Sequence, residues 1–581
     1  RSGLVVLISD LLVNREETLT ALKFLRHHGH EVLVFHLVDP GERELPQASE
    51  ARFFDPESGD ELLVSVADIR SEYREAVREA LDEWRRDLRA HAPTATVIIL
   101  DNSMSSGLVV GELRILDQLK TLALRTLDAA SDDDRFWVIR AGEPWLPAIP
   151  GRASDARTAV EDTEASEAGG DLTAALGRAA QLLATSSLVE REIHLLSDLQ
   201  ITAFTPSGQQ PAGDLPVVVW RPEGSSPGNR ALADVVVGGG LPPLEGQRTQ
   251  VTVTSMEAGP ADDSVHVPLR LVVNERIRGA TTLPPGAQTS IAMPPSGSGW
   301  IEGYVDADPD ALRADDRRYF AYRSRPAPSV SSGGTHSVFL SEALGVLENA
   351  GRLRTMTVGS ADLVTSTAGA GLDQRGPGTA ALIVPPADPA VLPALNRRLA
   401  DAGIPWRLEA AGRSGQAELE GRSLPTALEG VMAHAWFDLE LTGDPTGPSR
   451  TLAEVDGRPW AVEGTDTGGR RYLLVASPMD AQATSLPVST GMLRFVDWVT
   501  SEWAGAGGGQ LTLEAGTNIP APGAATHVRY PAGATFEVDG TRTVRGTGQA
   551  GFYTFLAADT VVSVVALNTP VNESRLDRID G

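Results

Sequence analysis

In the first 220 residues short apolar runs alternate with amphipathic stretches, and this alternation restricts the fold more than any other feature. The runs LVVLIS (4–9), EVLVFHLV (31–38), VIILDNS (97–103), FWVIRA (136–141), EIHLLSD (192–198) and LPVVVW (215–220) have strand length. Between them EETLTALKFLRHHG (16–29), SEYREAVREALDEWRRDLRAH (71–91), ELRILDQLKTLALRTLDAA (112–130) and DLTAALGRAAQLLA (171–184) carry apolar residues at helical spacing. A buried strand, a helix and another buried strand make a parallel unit, and its repetition predicts a doubly wound, Rossmann-like sheet. FFDPESGDELLVSV (53–66) predicts a hairpin around Asp60.

Beyond a Gly/Pro/Ser-rich linker at 205–229 the period changes. ADVVVG, QVTVTS, VPLRLVVN, TSIAMP, GWIEGYVD and YFAYR alternate apolar and polar residues between turn signals. They predict an antiparallel, immunoglobulin-like β-sandwich over 230–325. RPAPSVSSGGTHS (325–337) predicts a second linker, and 337–504 returns to αβ alternation. Its strands are expected at SVFL, LRTMTV, AALIVP, PWRLEA, PWAVEG and YLLVASP. Its helices are expected at SEALGVLENAG, DPAVLPALNRRLADAG and GMLRFVDWVTSEWAG. A glycine-rich linker precedes a small β domain at 510–572. The expected domains are therefore 1–91, 92–222, 230–325, 337–504 and 510–572.

Composition excludes several chemistries. Asp and Glu number 77 against 50 Lys and Arg, a net charge of −27, and such a surface repels phosphate backbones. Nucleic acid is not an expected partner; a divalent cation or a basic protein face is. The absence of cysteine removes disulfides, thiolate metal sites and a cysteine nucleophile. No apolar run reaches the ~18–20 residues that span a bilayer. The sequence opens at Arg1, directly before a buried-type strand, and is expected to be a piece of a longer product.

The densest chemistry is VIILDNSMSSG (97–107), where a dry strand runs into Asp101, Ser103 and Ser105. At the carboxyl end of a parallel strand, short oxygen-bearing side chains suit a hard cation that keeps some of its water. On its own the pattern is weak and is better explained by Asp or Ser capping a following helix. Its context strengthens it. Asp198 ends another apolar strand of the same segment, and GGDLT (169–173) opens a helix between them. The ending of EIHLLSDLQ is repeated near the start of the chain, in LVVLISDLL.

Here the sequence resembles the von Willebrand factor type A domain over about 94–220. The resemblance implies a metal-ion-dependent adhesion site built from an Asp-x-Ser-x-Ser loop (Asp101, Ser103, Ser105), a threonine loop and a late aspartate (Asp198). In the threonine loop Gly170 stands where the threonine falls. Asp171 substitutes, or Thr173 reaches in from the next turn, or the site lacks this group. The implied cofactor is Mg²⁺ or another divalent cation such as Ca²⁺ or Mn²⁺. The implied partner is a protein that supplies a carboxylate to the ion.

ATVIILDNSMSSG, DRFWVIRAGEPWLPAIPG and REIHLLSDLQ, together with the domain order, resemble the BatA-type aerotolerance-regulator proteins of bacteria. In them the 337–504 region is an amidotransferase-like αβ domain. Those proteins begin with two membrane helices, so the resemblance implies membrane association through segments absent from this chain, with a soluble, periplasmic portion. GLVVLISDLL, LRHHGHEVLVFHLVDPGERELP and ARFFDPESGDELL resemble the C-terminal half of uncharacterised type-A-domain proteins encoded beside MoxR ATPases. There Asp10 matches the late aspartate, a vestigial metal position. The seam near 89–93 joins the two, as a natural fusion or as neighbouring proteins.

Other features carry less. His27, His28 and His30 are possible metal ligands, but histidines at a helix C-terminus also complement its dipole. The aspartates of VDADPDALRADD (305–316) lack the spacing of an EF-hand and predict a solvated acidic turn. Within 337–504, Ser477 has no histidine and aspartate at supporting spacing, and His434 lies apart. The expected function is a non-enzymatic, divalent-cation-dependent protein-binding scaffold of bacterial membrane-associated machinery, linked to a MoxR-type AAA+ ATPase. The alternatives are a hydrolase or transferase acting from 337–504 and a purely structural protein with an empty metal site.

Overall fold

The computed structural model describes residues 3–11, 14–28, 30–38, 45, 50–54, 59, 61–88, 93–205, 212–222, 227–241, 243–259, 266–284, 286–409, 412–422, 424–443, 449–505 and 512–579. Strand Thr94–Leu100 lies inside a four-stranded parallel sheet, between Glu190–Leu196 and Arg135–Arg140, with Val217–Trp220 on the outer edge. The strand is apolar over Val97–Leu100 because both of its faces are covered. Ala95, Val97 and Ile99 pack on Leu172, Ala175, Leu176, Ala179 and Leu183 of helix Leu172–Ala184. Ile98 and Leu100 pack on Ile115, Leu116, Leu119, Ala123 and Leu127 of helix Ile115–Leu127. Alternate residues serving opposite helices is the two-residue period of a strand buried on both sides. A helix over Ala153–Glu161 also forms, which the sequence reading did not anticipate.

The N-terminal segment is thinner. Leu4–Ser9 and Glu31–His36 form a two-stranded parallel sheet around helix Arg15–His27. Glu50–Phe54 and Glu61–Ser65 pair antiparallel as a hairpin; its expected turn residue, Asp60, lies outside the described residues. Helix Val66–Leu88 follows.

Two sheets face each other over 229–324. One contains Asn229–Val237, Thr249–Ala258 and Gln288–Met293; the other contains Arg276–Leu283, Val267–Val273, Gly299–Ala307 and Arg317–Ser324. Their inward residues share one core. The next region is built on a seven-stranded mixed sheet with its own large core.

That sheet corrects two expectations. SVFL is not a strand: Ser337 caps helix Val338–Asn349 by accepting the amide of Leu340. The strand instead lies in the expected linker, at Ser329–Gly333, paired in parallel with Leu363–Thr367. Its serines mimic a linker in sequence, but Ser329 and Ser331 are buried, and Ser329 donates its hydroxyl to Asp362. The Ser329 hydroxyl is satisfied there, which lowers the cost of burying it.

The C-terminal β domain is a five-stranded sheet with its own core. It is docked on the sandwich. Val564 and Ala566 pack against Ala321, and Asn568 exchanges hydrogen bonds with the backbone of Tyr319. Past this sheet the chain does not run off into solvent. Val571–Arg575 forms a 3-10 turn, and Arg578 bridges Gln200. Residues beyond the expected boundary at 572 thus return to the domain at 94–220.

Candidate metal centre

Leu100 is the last residue of its strand, and the chain then bends away from the sheet. The amide of Asp101 still donates to Leu196 O (2.9 Å), so the bend starts at a fixed point. Asp101 Oδ1 accepts the Ser103 amide (3.1 Å) and the Ser103 hydroxyl (2.7 Å). Its Oδ2 accepts the Ser197 hydroxyl. The Ser103 and Ser105 hydroxyls lie 3.1 Å apart. Asn102 points the other way: it accepts the Gly142 amide (2.9 Å) and donates to Glu164 O (3.2 Å), tying this loop to its neighbours. The capping explanation of the motif fails here, because the 3-10 turn Met104–Gly107 has Ser103 as N-cap with no side-chain capping bond.

Asp198 enters from the end of the adjacent strand. Both of its carboxylate oxygens are buried without a hydrogen-bond partner, and Arg578 Nη2 stands 4.0 Å away. Burial, then the charge of Asp101, push its pKa up to about 7; Arg578, Ser105 and the Gln200 amide oppose the rise, although neither of the last two reaches normal hydrogen-bond geometry. A carboxylate in this state is costly unless a cation or a proton compensates it.

A fifth oxygen-bearing group was not foreseen. Glu573, from the C-terminal 3-10 turn, lies beside Asp101 and Asp198. Its Oε1 accepts the Gly170 amide (3.4 Å) and the Thr202 hydroxyl (3.5 Å), while Oε2 is buried without a partner. Burial first, then the charges of Asp101 and Asp198, raise its pKa to about 8. Asp101, Ser103, Ser105, Asp198 and Glu573 are each no more than 2% exposed.

The structure brings Asp101, Ser103, Ser105 and Asp198 together but not the rest of the expected set. Asp171 is the N-cap of helix Leu172–Ala184, and its Oδ1 accepts the Ala174 amide (2.8 Å). The Thr173 hydroxyl accepts the Thr205 amide (3.0 Å) on the flank of the domain. Position 170 is the one that faces the cluster: a Cβ there would sit 3.1 Å from Ser103 Cβ and 3.5 Å from Asp101 Oδ1. Glycine therefore lets the backbone approach the Asp101–Ser103 loop, where a side chain would be crowded. Asp10 is exposed at the surface of the N-terminal segment, and no described Asp-x-Ser-x-Ser loop stands near it. The histidine trio forms no described site. His28 Nδ1 contacts Phe24 O and His30 Nδ1 contacts Gly3 O, while the His27 side chain lies outside the described residues.

The acidic turn is not solvated, contrary to expectation. Asp315 and Asp316 are buried, and their carboxylate oxygens lie within 4.8 Å of one another and of Asp310. Burial raises both to about pKa 7. Asn229 donates to Asp315 Oδ2 (2.8 Å) and to Ser574 O (2.9 Å), joining this turn to the C-terminal segment. In the mixed-sheet region Ser477 is fully buried. It donates to Ala435 O (2.7 Å) and accepts from Trp460 Nε1 (2.8 Å), which fixes the hydroxyl as a packing tie.

Hard oxygens and orphaned buried carboxylates are the donor chemistry of Mg²⁺, Ca²⁺ or Mn²⁺, so the residues present fit a divalent cation. Asp101, Ser103, Ser105 and Asp198 would hold it.

Comparison with known proteins is partial. Residues 1–83 match the family described as protein of unknown function DUF58. No curated protein matches the chain. Among solved structures, the vWF domain of the type V pili tip protein Mfa5 from Porphyromonas gingivalis is 21% identical, covering 19% of this chain and 38% of that one, with a TM-score of 0.16. A cycloisomaltooligosaccharide glucanotransferase of Paenibacillus sp., complexed with cycloisomaltoheptaose, is 12% identical over 23% of this chain and 20% of that one (TM-score 0.14). A beta-glucosidase from Listeria innocua in complex with isofagomine is 11% identical over 40% and 46% (TM-score 0.12). The chain thus spans less than half the length of each.

Proposed function

We propose that residues 92–222 are a von Willebrand factor A-type domain that binds a divalent cation, Mg²⁺ foremost. On this proposal the protein is a non-enzymatic, cation-dependent protein-binding scaffold. The observation that carries the cation site is Asp198, whose two oxygens are buried without a hydrogen-bond partner beside the carboxylate of Asp101, with Arg578 4.0 Å away. Two adjacent carboxylates in a dry pocket repel each other, and a cation between them removes both the repulsion and the desolvation cost. Ser103 and Ser105 supply neutral oxygens, which leaves room on the ion for a further carboxylate.

The setting proposed for this scaffold is bacterial membrane-associated machinery working with a MoxR-type AAA+ ATPase, the soluble portion being periplasmic. What supports it is the sequence resemblance at both ends of the αβ region, together with the match of residues 1–83 to DUF58. Among the described residues no helix is long and apolar enough to cross a membrane, so attachment would lie elsewhere. The tied hydroxyl of Ser477 gives no support to a hydrolase in the mixed-sheet region.

Calorimetric titration of the full chain with Mg²⁺ and Mn²⁺ tests the site. Binding by the wild type and its loss in both Asp101→Ala and Asp198→Ala is the expected result; equal affinity in all three proteins refutes it. Capture of a purified MoxR-type ATPase in Mg²⁺ but not in EDTA tests the partner. Turnover of an amide or ester by the full chain, lost on Ser477→Ala, would restore the enzyme alternative.

A further inference from the structure

Glu573 lies 403 residues from Gly170 in sequence, yet its Oε1 accepts the Gly170 amide. Three features make this more than a packing accident. First, the chain makes space for it: a Cβ on Gly169 would stand 3.3 Å from Glu573 Oε1, and one on Gly170 would press on Ser103 Cβ at 3.1 Å, so two glycines let Glu573 and the Asp101–Ser103 loop approach the same backbone. Second, the glutamate is held from both sides. Its carbonyl accepts Gln200 Nε2 (3.2 Å), the amide of Ile201 donates to Asp577 O (2.9 Å) and that of Ile579 to Leu199 O (2.9 Å). Third, its Oε2 remains buried and unpartnered, as do both oxygens of Asp198. Three carboxylates, those of Asp101, Asp198 and Glu573, thus share one dry cluster, with Arg578 4.0 Å from Asp198. That arrangement leaves a charge deficit that a divalent cation matches.

We infer that Glu573 is a ligand of the cation, standing in for the missing threonine-loop group, so that the ion clasps residues 571–579 onto the 92–222 domain and closes the site from within. The inference rests on the cation site proposed above. It changes the role of that site. The carboxylate that completes the ion's shell comes from this chain, and an outside carboxylate reaches the metal only by displacing the C-terminal segment. The contacts of the C-terminal β domain around the opening agree with a closed state: Ala550 donates its amide to Glu167 (2.6 Å), and the hydroxyl of Ser166 donates to Gly548 O (3.0 Å).

The test uses the full chain, its Glu573→Gln variant and Asp198→Ala, with Mg²⁺ as the probe. Glutamine keeps the shape and the Gly170 contact and removes only the charge. In the wild type, Mg²⁺ should slow hydrogen exchange of the 571–579 amides at least tenfold. Glu573→Gln should weaken Mg²⁺ at least tenfold and abolish that protection. It should also reverse a sign: E573Q melts higher than the wild type in EDTA, where like charges repel, and lower in saturating Mg²⁺. A structural glutamate would shift both melts in the same direction. The inference is overturned if E573Q binds Mg²⁺ within twofold of the wild type while Asp198→Ala does not bind; the cation site then stands without Glu573. It is overturned equally if wild-type protein binds Mg²⁺ with no change in exchange at 571–579, a measurement that needs no variant. Absence of Mg²⁺ and Mn²⁺ binding by the wild type removes the cation site itself.

Discussion

Ser9-Asp10-Leu11 and Ser197-Asp198-Leu199 are built alike and end in different surroundings. In each, a serine at the end of a parallel strand or just past it accepts the amide two residues on with its hydroxyl, at 3.1 Å for Leu11 and 2.9 Å for Leu199. In each, the leucine is left-handed, with φ of 55° and 58°, a conformation that costs an ordinary residue about 1 kcal/mol. The turn is therefore encoded locally. What differs is the neighbourhood. The strand before Asp198 lies between two others and faces the Asp101 loop; the strand before Asp10 has one described neighbour, and its Leu4, Val6 and Ile8 are exposed. The same turn makes a buried, unpartnered carboxylate in one case and an exposed one in the other. The proposed metal position therefore needs the second loop as well as the strand ending.

The largest effect that can break this comparison is on the strands themselves. Val97 is 0% exposed and Val6 is 47% exposed. Val97→Glu should cost more than about 4 kcal/mol and yield insoluble protein, whereas Val6→Glu should change stability by less than about 0.5 kcal/mol in denaturant titration. Comparable losses would mean that the N-terminal strand is covered. Next comes the cation. Asp198→Ala should weaken Mg²⁺ at least about 100-fold, roughly 2.7 kcal/mol, and Asp10→Ala should leave calorimetric affinity unchanged. A loss in the second variant would make Asp10 a functional ligand.

The serines sharpen the contrast further. Ser197 also donates to Asp101, so Ser197→Ala should destabilise the domain by about 1–3 kcal/mol, whereas Ser9→Ala should cost under about 1 kcal/mol in thermal melts. The smallest effect is the pH dependence. Asp315 and Asp316 titrate near 7 when folded and near the ordinary carboxylate value when unfolded, so the folded chain binds more protons between the two. Stability in EDTA should therefore fall as pH rises from 5 to 8, and Asp198 and Glu573 act in the same direction. Asp315→Asn should flatten that slope, and Mg²⁺ should flatten the part owed to Asp198 and Glu573. A flat profile that Asp315→Asn leaves unchanged would show that these groups are ionised at no cost.

Sequence periodicity made the parallel sheet at 94–220 and the paired sheets at 229–324 legible, because strands buried on two faces and on one leave different patterns. It failed at Ser329–Gly333, where the buried Ser329 hydroxyl is satisfied only by the distant Asp362, and at SVFL, where a capping serine turns an apolar run into a helix. Asp101, Ser103, Ser105 and Asp198 were legible because each sits within a few residues of a strand end, where side-chain placement is set locally. Asp171 and Thr173 were misplaced for want of one-residue resolution. The position that faces the cluster is 170, a glycine, while Asp171 turns back to cap its helix.

Glu573 was out of reach. VNESRLDRID (571–580) carries no period and no motif, and nothing local ties it to a loop 403 residues earlier. The sequence by itself determined most strands and helices of the 94–220 domain and the strand end that carries Asp101, since these follow from spacing over a few residues. Only the tertiary structure decided how many carboxylates meet there and whether the cluster is open. Bringing the far end of the chain back to it depends on the docking of the C-terminal sheet against the sandwich, a sum of long-range contacts that outweighs the entropy of closing so long a loop.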